Sequence, residues 1–397
     1  MTRRTFAVIS DFDPHGGGNH QWSLNILHAL DDYRKAQGDI DVVLFHYNRY
    51  IGDHPVKNIF PGFEYAGFGK CQRFVSRAMR RFSIYFPEAI PLLRPFFPLN
   101  RALNQRGTTL MLFPMAGLDS PLCEVPHVFC MADIAHIYYP HFPEVRVNSS
   151  LRIRDVVFRY GPTNARRVMV ESGELAREMT RHYGVPPGKM SVVHQVLPRL
   201  FSASVMPDIG PDRPKPYLFY PAQLWAHKNH KNLLSAFAIL VTEFSDLRLV
   251  LSGSRKPGSE AIFDQMRALG LSQLVDYLGY VPDEEMPKLY RNAVALVMPT
   301  YFGPTNIPTL EAFAFGCPAV ISDLPGVEEQ VEDAALRFDP DSPQDIAAKL
   351  RQVLTDPALA ARLVDAGWNR IAQLSYENYR QQMFALFDSA VISPAGL

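Results

Sequence analysis

The segment from Val297 to Ser322, VMPTYFGPTNIPTLEAFAFGCPAVIS, combines an apolar strand, a loop of small residues, a short helix opening near Thr309 and a second apolar strand. A helix that follows such a loop offers unpaired backbone N–H groups and the positive end of its dipole, which suit a phosphate. Glu311 lies just inside the helix, where its carboxylate is placed to accept hydrogen bonds from a ribose. The segment therefore predicts a nucleotide-binding site.

Glycines follow the first predicted strand, in the string SDFDPHGGGN. Gly16, Gly17 and Gly18 would let the backbone approach a phosphate or a sugar closely, because glycine has no side chain. The alternative is a flexible turn between a strand and a helix. Asp11 and Asp13 match a D-x-D metal motif, but such pairs are common by chance, and we expect no metal site.

Polar side chains follow two further predicted strands. Lys228, in YPAQLWAHKNHKN, is placed to neutralise a diphosphate leaving group in a cleft between domains. The alternative is a solvated loop lysine.

Asp133 and His136 follow a strand of the first half, and His136 could contact a sugar hydroxyl or shuttle a proton. A structural hydrogen bond would explain this histidine equally well.

A basic amphipathic helix is predicted in the string KCQRFVSRAMRRFSIYF, which starts at Lys70. One helical stripe carries Phe74, Ala78, Phe82 and Phe86. Four arginines lie elsewhere around the helix: Arg73, Arg77, Arg80 and Arg81. Such a helix could dock on anionic lipid, and the following IPLLRPFFPL could line an acceptor channel. The alternative is an ordinary helix that covers the core of the first domain.

Length and composition indicate a folded protein with more than one domain. A chain of 397 residues exceeds what one hydrophobic core usually serves, and 47% hydrophobic with 20% charged residues excludes a largely disordered chain. Residues 1–200 carry 24 Lys and Arg against 17 Asp and Glu, whereas residues 201–397 carry 16 against 23. The basic first half hints at an anionic surface or acceptor.

The four cysteines show neither metal-site spacing nor a paired framework, which favours a reducing cytoplasm. The apolar stretch near the N-terminus, about five residues, is too short for a signal peptide. No apolar run approaches the roughly 18 residues that span a bilayer. We expect a cytoplasmic protein whose membrane contact, if any, is peripheral and at the inner face.

Apolar strand-like runs alternate with helical patterns in both halves, and this alternation is typical of parallel sheets covered by helices on both faces. We predict an α/β protein with two Rossmann-like, doubly wound domains that face a cleft. The first domain spans residues 1–200, a linker with four prolines spans 201–216, and the second domain spans 217–375. A C-terminal helix over 376–397 is expected to pack back on the first domain.

The second half resembles the group 1 glycosyltransferases, the large retaining GT-B family that uses nucleotide sugars. The resemblance rests on the A-Q-L turn before Lys228, on the strings LVLSG and YLGYV, and on PTYFGPTNIPTLEAFAFGCPAVIS. It covers most of the chain and is strongest over residues 217–332. It implies a GT-B fold with an N-terminal acceptor-binding domain and a C-terminal nucleotide-sugar-binding domain.

The resemblance also implies roles for individual residues. Glu311 matches the second glutamate of an E-x7-E motif, which binds the ribose, and Lys228 matches the lysine that grips the donor pyrophosphate. With Lys228, the catalytic candidates are Asp133 and His136. The other implied donor-binding residues are Thr305, Asn306, Ile307, Gln223, Gly253, Gly16, Gly17 and Gly18.

Three positions depart from the family pattern. Gly303 stands where the first glutamate of E-x7-E is expected, and Gln223 replaces the arginine expected five residues before the lysine. Ala132 replaces a histidine beside Asp133, so His136 is the nearer candidate. We expect a weaker grip on the diphosphate, or compensation by one of three nearby cations: His227, Arg255 or Lys256.

The resemblance implies transfer of a sugar from a nucleoside diphosphate sugar to an acceptor hydroxyl, with retention and without a metal or other cofactor. The acceptor would be a saccharide or lipid-linked saccharide in cell-surface polysaccharide or lipopolysaccharide assembly, and no nucleic acid partner is expected.

A sugar-nucleotide epimerase is an alternative function, although Gly303 argues against it. A non-catalytic glycosyltransferase-like protein is favoured by Gly303 and Gln223 and opposed by Lys228 and Glu311. A dinucleotide oxidoreductase fits less well, because GGGNHQW lacks the G-x-G-x-x-G spacing.

Overall fold

The chain forms two compact units. The computed structural model describes residues 3–9, 18–47, 56–146, 150–198, 201, 216–303 and 306–391. The first unit comprises the described residues of the ranges Met1–His136, Arg146–His194 and Glu377–Leu397. The second unit comprises Ile137–Val145 and Gln195–Tyr376.

Each unit is built on a parallel sheet, as expected where helices connect successive strands. In the described ranges the strands are β1 (Arg4–Ile9), β2 (Ile40–His46), β3 (Glu64–Gly67), β4 (Thr108–Phe113), β5 (His127–Met131), β6 (Arg167–Val170), β7 (Met190–Val192), β8 (Tyr217–Pro221), β9 (Arg248–Ser252), β10 (Val275–Tyr277), β11 (Ala295–Met298), β12 (Ala319–Ser322) and β13 (Ala335–Phe338). The first sheet has the order β3-β2-β1-β4-β5-β6-β7, and the second has the order β10-β9-β8-β11-β12-β13.

Helices precede or follow most strands. In the first unit they are Gly18–Gln37, Val56–Ile59, Lys70–Tyr85, Ile90–Leu93, Pro98–Gln105, Asp119–Leu122, Ser150–Asn164 and Gly173–Tyr183. In the second unit they are His230–Leu240, Glu260–Ala268, Met286–Arg291, Ile307–Ala314, Glu328–Val331, Pro343–Thr355 and Pro357–Gln373. Helices Ala135–Tyr138, Pro143–Arg146 and Tyr376–Val391 cross a boundary between the units. Among the described helices, none combines the length and apolarity needed to cross a membrane.

The middle strands of the second sheet are buried along their whole length. Every residue of β11 and β12 is buried, as are the first four of β8. Strands buried on both faces are continuous apolar runs rather than alternating ones, which is why YLFY, ALVM and AVIS were recognisable as strands in the sequence.

The order of the second sheet brings the loops after β8 and β11 together. From β8 the chain winds outward through β9 and β10, then crosses to the other side of β8 to form β11. Ligands of such sheets bind beyond the carboxyl ends of the strands at this reversal. The two loops there carry Lys228 and Gly303. In the first sheet the equivalent reversal lies between β1 and β4, and the loop after β1, residues 10–17, lies outside the described residues.

The predicted fold class, two Rossmann-like α/β units, is confirmed. The domain boundaries differ from the prediction, because Ile137–Val145 was assigned to the first domain by sequence and belongs to the second unit. The second unit also resumes at Gln195 rather than after residue 200, and it ends at Tyr376. Most of the predicted linker, residues 202–215, lies outside the described residues. The C-terminal helix joins the first unit, where the hydroxyl of Tyr33 donates to Asp388 at 2.5 Å.

Candidate nucleotide-binding site

The loops after β8 and β11 are bonded to each other. The backbone N–H of Tyr301 donates to the carbonyl of His227 at 2.9 Å, and the Phe302 ring stacks on the His227 imidazole with centroids 4.0 Å apart. Lys228 follows His227 in the first loop, and Gly303 follows Phe302 in the second. The two positions singled out in the sequence therefore lie on neighbouring, mutually supported loops.

The backbone of Lys228 is held from two sides. Its carbonyl accepts a hydrogen bond from the buried hydroxyl of Tyr220 at 2.8 Å, and Lys228 ends the single 3-10 turn Ala226–Lys228. The next residue, Asn229, has a φ of 56° and caps helix His230–Leu240 through its side chain. The half-buried lysine thus projects from a fixed turn rather than from a long loop.

A segment from the first half of the sequence supports this turn. The carboxylate of Glu144 accepts a hydrogen bond from the backbone N–H of His227 at 2.8 Å and is also hydrogen-bonded to its Nδ1. Tyr139 and Phe142 pack against Tyr301, with ring centroids 5.9 and 5.4 Å away. These contacts explain why Ile137–Val145 belongs to the second unit. These contacts join residues far apart in the chain, so no local sequence pattern predicts them.

Gly253 lies where the loop after β9 meets the loop after β8. The N–H of Ala222 donates to the Ser252 carbonyl at 2.8 Å, and a Cβ on Gly253 would fall 2.3 Å from the Ala222 carbonyl oxygen. The side chain of Gln223 accepts a hydrogen bond from Trp225 Nε1 at 2.9 Å. Packing against the Ala222 backbone is therefore sufficient to require glycine at position 253. The donor-binding roles of Gly253 and Gln223 stay predictions.

Two of the cations considered as replacements for the missing arginine lie over aromatic rings. The ammonium of Lys256 is 5.0 Å from the centroid of the Trp225 ring, and the Arg255 guanidinium is 4.3 Å from that of Phe263. Trp225 thus contacts both the Lys256 ammonium, through its ring, and Gln223, through its Nε1. Lys256 therefore brings a positive charge close to position 223, where the family pattern expects an arginine.

The first turn of helix Ile307–Ala314 offers fewer N–H groups to a phosphate than its sequence suggested. The N–H of Asn306 donates to Gln330 Oε1 at 3.1 Å, and that of Thr309 donates to the Asn306 carbonyl at 3.1 Å. Pro308 has no N–H. The side chain of Ile307 is buried and has no hydrogen-bond donor, so a hydrogen bond from Ile307 to a phosphate would have to come from its backbone N–H. Thr305 lies outside the described residues.

Glu311 is a buried carboxyl group on this helix. Its Oε2 accepts a hydrogen bond from the hydroxyl of Tyr290 at 2.5 Å. Burial and the nearby charge of Asp283 raise the pKa of Glu311 to about 7, although the bond from Tyr290 acts in the opposite direction. Additional hydrogen-bond donors would stabilise the ionised form, and a pair of ribose hydroxyls is one such set of donors.

Asp133 and His136 belong to the first unit and have structural partners there. Asp133 Oδ1 accepts from the N–H of Ala135 at 2.9 Å and lies 3.5 Å from Arg154 Nη1. His136 is buried, and its Nε2 is 2.7 Å from the Tyr183 hydroxyl. Burial and the charge of Arg154 lower the pKa of His136 to about 4. A neutral, weakly basic imidazole suits the structural hydrogen bond better than the proton shuttle.

The glycine loop is described only at its end. Gly18 begins helix Gly18–Gln37 and is exposed. Gly16 and Gly17 lie outside the described residues, as do Asp11 and Asp13.

One arginine of the predicted membrane-binding set, Arg80, has partners within the first unit. The guanidinium of Arg80 lies 4.3 Å from the centroid of the Tyr47 ring and 3.5 Å from Asp119 Oδ2. Its side chain is partly exposed, and its guanidinium is engaged by these two groups of the first unit. Arg77 and Arg81 are exposed, and Arg73 is partly exposed.

The second half of the chain is similar to a known protein family. Residues 204–370 match the family model described as glycosyl transferases group 1. The chain is 33% identical over 168 residues to the O-antigen chain mannosyltransferase B of Escherichia coli, covering 42% of this chain and 44% of that protein. It is 28% identical over 245 residues to a D-inositol 3-phosphate glycosyltransferase of Streptomyces avermitilis, covering 56% and 53%. The chain thus spans about half the length of these curated relatives.

Solved structures resemble the fold over nearly the whole chain. A sucrose-phosphate synthase from Thermosynechococcus elongatus superposes with a TM-score of 0.71 at 18% identity, covering 97% of this chain and 98% of that one. HepE of Anabaena in complex with UDP superposes with a TM-score of 0.70 at 16% identity, covering 97% and 100%. Further structures of HepE contain UDP and glucose, or UDP-glucose. The chain thus has the GT-B fold, and its residues 204–370 are similar to the glycosyl transferases of group 1.

Proposed function

We propose that the protein transfers a glycosyl group from a nucleoside diphosphate sugar to an acceptor hydroxyl with retention of configuration. The observation that carries the proposal is the pair of bonded loops at the reversal of the second sheet, which bear Lys228 and Gly303 next to the helix of Glu311. These residues fall within the matched family segment. A nucleotide sugar as donor is supported by the HepE complexes with UDP and UDP-glucose.

The proposed reaction breaks the bond between the anomeric carbon and the diphosphate oxygen and forms a bond from the acceptor oxygen to the same carbon. The proton of the acceptor leaves with the diphosphate. Lys228 stabilises the negative charge that develops on the leaving group, assisted by the backbone N–H of Ile307. Glu311 holds the ribose and fixes the position of the donor.

In this proposal the charge on the leaving group is compensated by protein groups without a metal ion. Retention would follow from attack on the face that the diphosphate leaves, so no carboxylate nucleophile is needed. Gly303, with a φ of 81°, stands where the family carries a glutamate. The sugar must therefore be recognised by other groups of the same loop, such as Asn306.

For the acceptor we propose a saccharide or lipid-linked saccharide used in cell-surface polysaccharide assembly. Support comes from similarity to two O-antigen chain mannosyltransferases, that of Escherichia coli and RfbU of Salmonella typhimurium, the latter 23% identical over 255 residues that cover 63% of this chain and 66% of that protein. The unpaired cysteines fit a reducing, cytoplasmic location.

A panel of sugar nucleotides, incubated with and without candidate acceptors, tests the function. We expect one donor to release its nucleoside diphosphate together with an acceptor-dependent product whose new linkage has the anomeric configuration of the donor. Nucleotide release without such a product would contradict the proposal. Conversion of a donor into its epimer would identify an epimerase instead, and tight nucleotide binding without turnover would identify a non-catalytic protein.

A further inference from the structure

Helix Lys70–Tyr85 exposes two phenylalanines and buries two serines, while Ile84 is buried near its end. Phe74 is 74% exposed and Phe82 is 45% exposed, whereas Ser76 and Ser83 are fully buried. This is the reverse of a helix that covers a hydrophobic core. The ordinary core-covering alternative therefore does not apply to the face that carries the phenylalanines.

Contacts on the inner side fix the rotation of the helix. The guanidinium of Arg80 lies over the Tyr47 ring at 4.3 Å and is 3.5 Å from Asp119 Oδ2. At the end of the helix, Arg152 Nε donates to the Ile84 carbonyl at 2.8 Å. Because these groups anchor the opposite side, the phenylalanines cannot turn inward without breaking an ion pair.

The apolar surface continues beyond the helix. Phe86, which is 54% exposed, stacks on Phe82 with centroids 4.6 Å apart. The next turns add Leu92 and Phe96, which are 75% and 77% exposed. We call this set the aromatic surface: Phe74, Phe82, Phe86, Leu92 and Phe96. Single exposed apolar residues are ordinary, but a group of this kind marks an interaction site.

The charged residues of helix Lys70–Tyr85 are all basic, and the exposed Glu88 is the one acidic residue of the sequence between Glu64 and Asp119. Lys70, Arg77 and Arg81 are exposed on the helix and Arg73 is partly exposed. The sequence contains no acidic residue between Glu64 and Glu88. Two copies of this chain that met through the surface would bring these cations together, which disfavours self-association. The fitting partner is apolar and negatively charged.

We propose that the aromatic surface and its flanking cations dock on an anionic lipid bilayer. The phenylalanines and Leu92 enter the boundary between head groups and acyl chains, and Arg77 and Arg81 contact the lipid phosphates. Docking requires no nucleotide sugar, so the proposal goes beyond the glycosyl transfer proposed above and stands or falls independently of it.

Co-sedimentation of the full-length protein with vesicles tests the proposal. The wild type is expected to bind vesicles containing phosphatidylglycerol, to bind phosphatidylcholine vesicles much more weakly, and to dissociate as salt is raised. Arg77→Glu with Arg81→Glu should weaken binding at least about thirty-fold, from roughly fivefold for each cation lost. Phe74→Ser with Phe96→Ser should weaken it by about tenfold or more for each side chain.

Matched variants on the second unit control for the change in net charge and for the loss of an exposed aromatic side chain. Lys231→Glu with Arg362→Glu makes the same charge change at exposed positions, and Tyr280→Ser removes an aromatic side chain that is 59% exposed. Both should bind like the wild type. Thermal unfolding shows whether each variant is folded.

Three results would overturn the proposal. The first is a wild type that does not bind anionic vesicles. The second is equal binding by the surface variants and their controls. The third is a wild-type dimer, detected by sedimentation velocity, that Phe74→Ser dissociates, which would make the surface an interface between two copies of the chain.

Discussion

Glu144 and His227 are joined by two hydrogen bonds across 83 positions of the sequence. Burial alone would raise the pKa of Glu144, but hydrogen bonds from the ring and the backbone of His227 outweigh it, so the pKa is lowered and the carboxylate is ionised. On its other side His227 stacks on Phe302 and receives the N–H of Tyr301. Glu144 thereby fixes the turn from which Lys228 projects.

We expect Glu144→Ala to destabilise the second unit by about 1–3 kcal/mol, because a buried N–H loses its acceptor. Turnover should fall by up to about a hundredfold if the turn of Lys228 moves. Glu144→Gln keeps one acceptor oxygen and should lose less of both. Chemical denaturation and steady-state kinetics measure the two effects.

Glu243 provides the control, because it pairs with Arg351 at the surface of the same unit. Exposed ion pairs contribute little to stability, so Glu243→Ala should change neither stability nor turnover by a comparable amount. An equal loss in the two alanine variants would contradict the positioning role of Glu144.

Lys228→Ala should reduce kcat by about 10²–10³ and change the affinity for the donor much less, because the charge acts on the leaving group in the transition state. Lys231→Ala is a suitable comparison, since Lys231 is an exposed lysine three residues further on. Single-turnover kinetics and calorimetry with a non-reactive donor separate the two quantities. Equal losses in both would indicate plain binding.

Much of the fold was predictable because its signals are local. Buried parallel strands are continuous apolar runs, and the predicted strands Ala295–Met298 and Val168–Val170 coincide with β11 and most of β6. The short edge strand β7, Met190–Val192, was missed because a partly exposed strand of three residues has little apolar content to distinguish it from a loop.

The candidate site was predictable only in part. Lys228 stands in one recognisable string, and Gly303 and Glu311 stand in another. Their distant partners Tyr290, Gln330 and Glu144 are identified only by the contacts in the folded structure. Local spacing carries no information on such pairings. The orientation of helix Lys70–Tyr85 was undetermined for the same reason, because its apolar stripe would serve a core as well as a surface.

Gly253→Ala should be much more destabilising than Gly258→Ala. Both positions have positive φ, 128° and 85°, so both substitutions introduce backbone strain. Only at Gly253 would the added Cβ meet backbone, 2.3 Å from the Ala222 carbonyl oxygen. We expect about 1 kcal/mol for Gly258→Ala, and at least about 3 kcal/mol for Gly253→Ala, since overpacking adds to the strain. Comparable urea midpoints for the two variants would contradict this packing argument.

Glu311→Gln should stabilise the ligand-free protein at neutral and alkaline pH. The pKa of Glu311 is raised from its usual 4.5 to about 7. Between about pH 4.5 and about pH 7 the folded state therefore binds more protons than the unfolded state. Stability of the wild type therefore falls as the pH rises from about 4.5 to about 7 and is level above it. Glutamine keeps an acceptor for Tyr290 without the charge, and the variant should gain up to about 3 kcal/mol at neutral pH.

Thermal unfolding at several pH values measures this difference. Glu284→Gln makes the same chemical change at an exposed position and should leave the pH dependence of the wild type intact. If Glu311→Gln also retained that dependence, the raised pKa would not belong to Glu311.

The stability of the ligand-free protein falls as the Glu311 carboxyl loses its proton, whereas the affinity for the nucleotide should rise. In the proposed site ribose hydroxyls donate to the ionised form, so the affinity for the nucleoside diphosphate of the donor found in the panel should rise by about tenfold from about pH 6 to about pH 8 as the carboxyl loses its proton. Glu311→Gln should bind this nucleotide more weakly than the wild type at the higher pH and should lack the rise. Calorimetry across this range measures both affinities. A wild-type affinity independent of pH, or a variant that binds the nucleotide as tightly as the wild type at every pH, would remove Glu311 from the ribose site.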